Sequence, residues 1–252
     1  MGSRSAERFS RRGFLGATAA GGLLVAEMAL PKAARAAEAK PLAEDSVVLF
    51  QGDSITDAGR NRQAQGPNDL AALGRGYAML LAAGLLADHA KSRLKIFNRG
   101  ISGNKVPDLE GRWKTDAVDL KPAVLSILIG VNDIWHKLNG HYQGTVEQYE
   151  TGYRALLRRT LDEIPGVRIV VCEPFVLRCG AVDERWFPEF DQRRAVARKL
   201  AEELRLDFVP FQEMFDKATA DAPPNYWAGD GVHPTLAGHA LMAKTWRQVV
   251  GL

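Results

Sequence analysis

The stretch VVLFQGDSIT, residues 47–56, runs from a short apolar segment into a glycine, an acid and a hydroxyl. Four consecutive apolar residues at 47–50 are typical of a strand buried on both faces, as in a parallel sheet. Gly52, Asp53 and Ser54 suit a turn for conformational reasons alone. They equally suit a nucleophile, because parallel sheets bind ligands beyond the carboxyl ends of their strands. The rest of the chain has to decide between these interpretations.

Short apolar runs of this kind recur along the chain, and longer amphipathic stretches separate them. The sequence predicts strands at 46–50, 94–98, 123–129, 167–173 and 206–210, and helices at 76–90, 105–118, 145–163, 188–205 and 235–249. This alternation predicts an α/β fold in which helices cover both faces of a parallel sheet. Functional residues are therefore expected in the loops that follow the strands.

The first 36 residues are expected to be a targeting segment outside the fold. Arg11 and Arg12 precede an Ala- and Gly-rich apolar run, and a small-x-small sequence stands at 34–36, as in a twin-arginine signal peptide. The alternative is an uncleaved membrane anchor, but the run contains Glu27 and falls short of about 20 strongly apolar residues. We expect export to the periplasm or the cell exterior, without stable membrane insertion after processing. The mature chain is then a single domain at 37–252.

Charge gives no indication of a nucleic-acid partner. The chain carries 33 Lys and Arg against 30 Asp and Glu. Residues 1–36 hold six of the basic and two of the acidic residues, which leaves 27 basic and 28 acidic residues at 37–252. The basic excess thus belongs to the predicted signal, and the mature domain has no basic surplus for binding phosphates.

Loops near the predicted strand ends carry the residue types needed for acyl transfer. Ser54 is the candidate nucleophile, His233 the general base, and Asp230 the acid that orients the imidazole. Backbone N–H groups of Ser54 and Gly100 and the side-chain amide of Asn132 are candidate donors to an oxyanion. Together these positions predict a serine esterase site.

Simpler interpretations exist for several of these positions. Gly100 also suits a turn, and Asn132 suits a helix cap. We assign Asp133 to structure, as an acceptor that braces its loop. Cys172 lies in an apolar run and is expected to be a buried thiol; two cysteines, Cys172 and Cys179, do not make a disulfide framework.

Four segments of the chain resemble, in order, the motif blocks of the GDSL or SGNH hydrolases. They are GDSIT at 52–56, RGISGN at 99–104, GVND at 130–133 and DGVHP at 230–234. The resemblance covers residues 46–250. It implies a flavodoxin-like three-layer α/β/α sandwich with a five-stranded parallel sheet, a small-molecule or oligosaccharide ester as substrate, and neither cofactor nor metal.

The family roles implied by these motifs agree with the roles inferred from the residue types. The catalytic residues are then Ser54, Asp230 and His233, and the oxyanion hole comprises Ser54, Gly100 and Asn132. The name-giving leucine of the first motif is Ile55 here, which is a conservative apolar replacement.

A narrower resemblance points to the branch of the family that includes bacterial acetylxylan esterases. It rests on GDSITDAGR at 52–60, LGRGY at 73–77, RW at 112–113 and GVNDIW at 130–135. This branch implies deacetylation of xylan or its oligosaccharides. Trp135, Trp227 and Tyr226 are candidate platforms for sugar rings, with ordinary packing as the alternative. Arg60 is a candidate cleft residue, although a solvated loop position is favoured.

Other functions are weighed against this one. A lysophospholipase, a thioesterase or a general arylesterase would use the same site, and a non-catalytic carbohydrate-binding protein would share the scaffold. A metal-dependent phosphoesterase would need His and Asp ligands at several strand ends, which the sequence lacks. The remaining histidines are assigned to the surface or to packing: His89, His136, His141 and His239.

Overall fold

The computed structural model describes residues 42–252. The predicted signal peptide at 1–36 lies outside these residues, as do the first residues of the predicted mature domain. None of the helices within 42–252 has the length and apolar character that crossing a membrane would require.

A parallel sheet of five strands forms the centre of the domain. The strands are β1 (Val47–Gly52), β2 (Lys95–Asn98), β3 (Val124–Leu128), β4 (Arg168–Cys172) and β5 (Asp207–Val209). Their order across the sheet is β2-β1-β3-β4-β5, and every neighbouring pair is parallel. The predicted five-stranded parallel sheet is thereby confirmed.

Ten α-helices connect and flank the strands within the described residues. They are α1 (Ser54–Asp57), α2 (Leu70–Leu73), α3 (Tyr77–Asp88), α4 (Val106–Asp116), α5 (Val131–Leu138), α6 (Val146–Glu163), α7 (Glu189–Glu203), α8 (Phe211–Ala218), α9 (Pro224–Trp227) and α10 (Leu236–Val250). Short 3₁₀ turns lie at Ala90–Ser92, Val118–Leu120 and Glu184–Trp186. The five long helices, α3, α4, α6, α7 and α10, correspond to the five that the sequence predicts.

Two apolar cores, one on each face of the sheet, explain why the strands are nearly continuously apolar. Val48 and Phe50 of β1 join the core that contains residues of α3, α8 and α10. Leu49, between them, joins the core that contains residues of α4, α6 and α7. Successive side chains of a strand point to opposite faces, so burial of both faces gives the three layers of the sandwich.

Both cysteines, Cys172 and Cys179, are free thiols. Cys172 ends β4 and is fully buried in the core. Burial raises the pKa of its thiol to about 12, so the nucleophilic thiolate is disfavoured. The prediction of a buried, inert Cys172 is therefore confirmed.

Candidate active site

The turn after β1 places Ser54 at the carboxyl edge of the sheet. Gly52 has a φ of +155°, and a Cβ there would overlap the carbonyl oxygen of Leu128, so only glycine allows the chain to leave the strand this way. Asp53 then caps α1, because its Oδ1 accepts the N–H of Ile55 at 3.0 Å. Ser54 is the first residue of α1 and is half-buried.

Three side chains meet in a hydrogen-bonded line beside this turn. His233 Nε2 lies 2.8 Å from Ser54 Oγ, and His233 Nδ1 lies 2.7 Å from Asp230 Oδ2. An ionised carboxylate can only accept, so Nδ1 carries the proton and Nε2 is free to accept from the serine hydroxyl. This is the arrangement that lets an imidazole act as a general base toward serine.

The carboxyl group of Asp230 is held in its ionised form. Its Oδ1 accepts the backbone N–H groups of Val232 at 2.9 Å and His233 at 2.7 Å. Partial burial opposes ionisation, but these bonds and the bond from the imidazole outweigh it and lower the pKa of Asp230 below its ordinary value. The acid can therefore orient the imidazole and stabilise imidazolium during a reaction.

The loop after β4 fixes the backbone of the segment that carries Asp230. Leu177 N–H donates to Gly231 O at 2.8 Å, and Ala181 N–H donates to Asp230 O at 2.9 Å. Gly231 has a φ of +85°, and a Cβ there would overlap the carbonyl oxygen of Cys179. Close packing of two loops thus sets the position of the acid.

Gly100, the glycine expected to supply an oxyanion donor, has its N–H engaged elsewhere. That N–H donates to Asn98 Oδ1 at 2.9 Å. A Cβ at Gly100 would overlap the backbone N of Asp57, so glycine is required here because α1 packs directly against the loop. The N–H of Gly100 is therefore not free to donate to an oxyanion, contrary to the expectation from the sequence.

Gly103, the second glycine of RGISGN, has the unengaged N–H of this loop. Ile101 N–H donates to Gly52 O at 3.0 Å, and Asn104 N–H donates to Ile101 O at 3.1 Å. Ser102 N–H donates to Asp57 Oδ2 at 2.9 Å. Gly103 N–H has no partner among residues 42–252. The sequence analysis named only Gly100 of the two glycines in this loop, and the hydrogen bonding instead favours Gly103 as the donor.

Asn132 lies in the first turn of α5, a helix that the sequence analysis does not predict. The cap residue of α5 is Gly130, so Asn132 is not a helix cap. Its Nδ2 donates to Asn104 O at 3.2 Å. A carboxamide has two N–H donors, so one remains for a ligand.

Asp133, which follows Asn132, is buried, as its assignment to structure requires. Neither carboxylate oxygen has a hydrogen bond of normal geometry in the described part of the chain, and the nearby backbone N–H of Val106 only opposes the rise in the pKa of Asp133. Burial raises its pKa to about 7. Burial, with a contribution from the charge of Asp133, raises the pKa of Asp53 to a similar value of about 7.

Of the aromatic candidates, Trp135 contacts the triad. Its ring centroid lies 5.8 Å from that of His233 and 5.6 Å from that of Trp186. Trp186 is buried in the core, whereas Trp135 is half-buried. Trp135 therefore borders the imidazole with part of its surface open to a ligand.

Trp227 takes part in packing. Its Nε1 donates to Ala218 O at 3.0 Å and Ala222 O at 3.2 Å, and its side chain lines a cavity of about 390 Å³ between α8 and α10. Tyr226 is 54% exposed, and its carbonyl oxygen accepts the hydroxyl of Thr235 at 2.7 Å. Tyr226 is the more exposed of the two candidates for ligand contact, and the indole N–H of Trp227 is already engaged in packing.

Arg60 is buried, contrary to the favoured expectation of a solvated position. Its Nε donates to Gly100 O at 2.7 Å, and its backbone N–H donates to Asp57 Oδ1 at 3.1 Å. Burial lowers the pKa of the guanidinium to about 10, which leaves it charged at neutral pH. Arg60 therefore ties α1 to the loop 99–104.

The last-helix histidine, His239, has the structural role that the sequence assigns to it. Its Nδ1 accepts the N–H of Tyr77 at 3.1 Å, which satisfies a free donor at the start of α3. Burial lowers the pKa of His239 to about 4, so the ring is neutral around neutral pH. No three His, Cys, Asp or Glu side chains within 42–252 are grouped so as to hold a metal ion.

Comparison with known proteins agrees with this geometry. The sequence profile of the GDSL-like Lipase/Acylhydrolase family matches residues 50–241. An acetylxylan esterase of Geobacillus stearothermophilus is 34% identical over 208 residues, which are 81% of this chain and 93% of that protein.

Solved structures show the same relationship. A protein from Parabacteroides merdae that is named after the GDSL-like lipases has a TM-score of 0.81 and 52% identity, over 83% of this chain and 97% of that one. Axe2, an acetylxylan esterase from Geobacillus stearothermophilus, has a TM-score of 0.74 and 32% identity, over 84% of this chain and 96% of that one. The family resemblance of the four motifs is confirmed: the chain belongs to the GDSL-like lipase/acylhydrolase family and is a carboxylic ester hydrolase.

Proposed function

We propose that this chain is a serine esterase that removes acetyl groups from carbohydrate, such as xylan or its oligosaccharides. The observation that carries the proposal is the hydrogen-bonded line from Ser54 through His233 to Asp230. Two solved variants of the related Axe2, one with a serine and one with a histidine replaced by alanine, are catalytic mutants. They support the roles of Ser54 and His233 by similarity.

In the proposed first step, Ser54 Oγ attacks the acyl carbon while its proton passes to His233 Nε2. The carbonyl oxygen becomes an oxyanion, which accepts from the N–H groups of Ser54 and Gly103 and from the free N–H of Asn132. The ester bond breaks as His233 returns the proton to the leaving alcohol, which leaves acetyl-Ser54. Water, deprotonated by His233, then releases acetate and restores the hydroxyl.

Asp230 keeps the imidazole in the correct tautomer through both steps. Its bond to Nδ1 leaves Nε2 as the acceptor, and its charge stabilises the imidazolium that forms when Ser54 loses its proton. The backbone bonds to its Oδ1 hold the carboxylate in place, so the acid itself need not take the proton.

The substrate class rests on relatives and on the residues around the triad. Axe2 is an acetyl-xylooligosaccharide esterase, and Trp135 offers an aromatic surface beside His233. The segments 57–75, 136–144 and 221–231 contain Gly, Asn and other polar residues, and the last two also hold the aromatic residues Tyr142, Tyr226 and Trp227. A long acyl chain would need an apolar channel, at about 0.8 kcal/mol per buried methylene, whereas this composition suits sugar hydroxyls beside a small acyl group.

We also propose that the protein is exported by the twin-arginine route. The proposal rests on Arg11, Arg12 and the small-x-small site at 34–36. Cleavage there would release residues 37–252 as the mature enzyme.

The decisive experiment compares Ser54→Ala with Ser102→Ala, a matched serine control on the neighbouring loop whose hydroxyl is exposed. Ser54→Ala should remain folded and lose esterase activity and labelling by a fluorophosphonate, while Ser102→Ala should keep both. Label on Ser102, or full activity of Ser54→Ala, would refute the assignment of the nucleophile.

The substrate class is tested on wild type with acyl esters that share one leaving group, beside acetylated xylo-oligosaccharides and acyl thioesters. We expect kcat/KM to fall from acetyl through butyryl to octanoyl, and the oligosaccharides to have a lower KM than aryl acetates because the sugar adds binding. Faster hydrolysis of octanoyl esters or thioesters would favour a lysophospholipase or thioesterase. A preference for aryl acetates would indicate a general arylesterase, and binding of the oligosaccharides without hydrolysis would indicate a non-catalytic protein.

A further inference from the structure

We propose that Arg112 of α4 is a positioning residue that aligns the oxyanion donors with the nucleophile; this rests on the proposed function. Arg112 is part of the RW pair at 112–113 that the proposed function leaves without a role. Its side chain is 15% exposed. It belongs to a helix that carries none of the triad or oxyanion residues, so it acts only through its contacts.

One guanidinium bridges both ends of the loop 99–104 and reaches the end of β1. Arg112 Nε donates to Asn104 Oδ1 at 2.8 Å, and Nη1 donates to Arg99 O at 2.8 Å. Nη2 lies 3.4 Å from Gly52 O. Nη1 also pairs with Asp116 Oδ2 at 2.9 Å, one helical turn further on.

These contacts converge on the proposed oxyanion donors. Asn104, held at its side chain by Arg112, accepts the amide of Asn132 at its carbonyl oxygen. Gly103, with its free N–H, lies between the two bridged ends of the loop. Gly52 is two residues before Ser54. A single side chain therefore contacts the segments that carry Ser54 and Gly103, and it holds the residue that binds Asn132.

Arginine suits this task because its planar fork has five N–H donors in fixed directions. A lysine could pair with Asp116, but a single ammonium group cannot reach two sites on the loop and the end of β1 with the same geometry. The loop also has a second anchor, since Ser102 N–H donates to Asp57 Oδ2 at 2.9 Å. Loss of Arg112 should therefore loosen the loop without unfolding it.

The test compares Arg112→Met and Arg112→Lys with the control Arg154→Met. Arg154 forms an i,i+4 ion pair of similar burial with Glu150 at 2.7 Å, but α6 carries no proposed site residue. For aryl acetate hydrolysis, we expect kcat of Arg112→Met to fall about 10- to 100-fold, because misplacement by about 1 Å can cost that much. KM should change little, Arg112→Lys should recover part of the rate, and the control should match wild type.

Two further measurements separate positioning from general destabilisation. Affinity for a small alkyl boronic acid, which forms a tetrahedral adduct on serine, should fall in parallel with kcat/KM. Amide hydrogen exchange should speed up in the segment 99–104 and stay unchanged in the core strands. Melting temperatures identify any variant that is simply unfolded. If Arg112→Met is unfolded, kcat and boronic acid affinity are compared between Arg112→Lys and wild type instead.

The outcomes distinguish this inference from the proposed function. If wild type hydrolyses esters and both Arg112 variants keep its kcat and its boronic acid affinity, the positioning role is refuted while the proposed function stands. An equal loss in Arg154→Met would likewise refute it, since the effect would then be one of stability. If wild type hydrolyses no ester, the proposed function and this inference fail together.

Discussion

Replacement of Asn132 by alanine should separate catalysis from stability at the proposed oxyanion site. The side-chain amide makes one protein hydrogen bond, to Asn104 O at 3.2 Å, and its second N–H is free for the oxyanion. Loss of the protein bond should lower the free energy of unfolding by about 1 kcal/mol. Loss of an oxyanion donor should lower kcat about 100- to 1,000-fold, or about 2.7–4 kcal/mol of transition-state stabilisation. The catalytic effect is therefore the larger one.

The assay measures kcat and KM with an aryl acetate, together with urea unfolding of the same preparations. Asn139→Ala is the matched control, since Asn139 is the exposed C-cap residue that directly follows the same helix α5. We expect the control to match wild type, and Asn132→Ala to keep its KM while it loses kcat. A decrease in kcat of less than about 10-fold would refute the donor role, because loss of an oxyanion donor typically lowers kcat by about 100-fold or more. A matching loss in the control would assign the effect to α5.

Three further predictions concern the substrate, pH and export. Trp135→Ala should weaken the KM advantage of acetylated xylo-oligosaccharides over aryl acetates. Trp227→Ala should lower the melting temperature and leave this KM advantage intact. Equal changes of the KM advantage in the two variants would contradict this prediction. The pKa of His239 is about 4 in the folded protein, below the value of about 6.5 in the unfolded chain. As pH falls, the unfolded state therefore binds a proton first, and wild type loses stability between these two pH values. His239→Asn keeps an acceptor for Tyr77 N–H. Between about pH 7 and about pH 5, urea unfolding should show that this variant loses less stability than wild type. An equal loss would show that protonation of His239 does not cause the pH dependence. Replacement of Arg11 and Arg12 by lysine should retain the precursor in the cytoplasm, as cell fractionation would show, and unchanged secretion would exclude the twin-arginine route.

The sequence predicts the sheet well because its three central strands, β1, β3 and β4, are buried on both faces. Runs such as 123–129 and 167–173 are mostly apolar, and the structure has β3 and β4 within them. The helix α5 is missed because Asn132 and Asp133 are polar residues in its first turn, where the pattern suggests a loop. Tertiary packing, which buries both side chains, overrides that local preference.

The site residues differ in how far sequence could assign them. Residue type and motif order brought Ser54, Asp230 and His233 together as candidates, and the structure joins their side chains by hydrogen bonds. The choice between Gly100 and Gly103 depends on which N–H is engaged, and this depends on the side chain of Asn98. The spacing of residues in the motif does not predict this hydrogen bond, because the bond forms only in the folded loop.

The hydrogen bond between Ser54 and His233 joins residues 179 positions apart, and this separation links activity to completion of the chain. The acid and the base enter the fold only with the segment before α10. That segment must then close a long loop against β1, at an entropic cost that local structure does not offset. Hydrolysis of an acetyl ester would therefore report the moment at which a growing or refolding chain acquires its last helix. A chain halted just before residue 230 contains all five strands and should remain silent in the same assay.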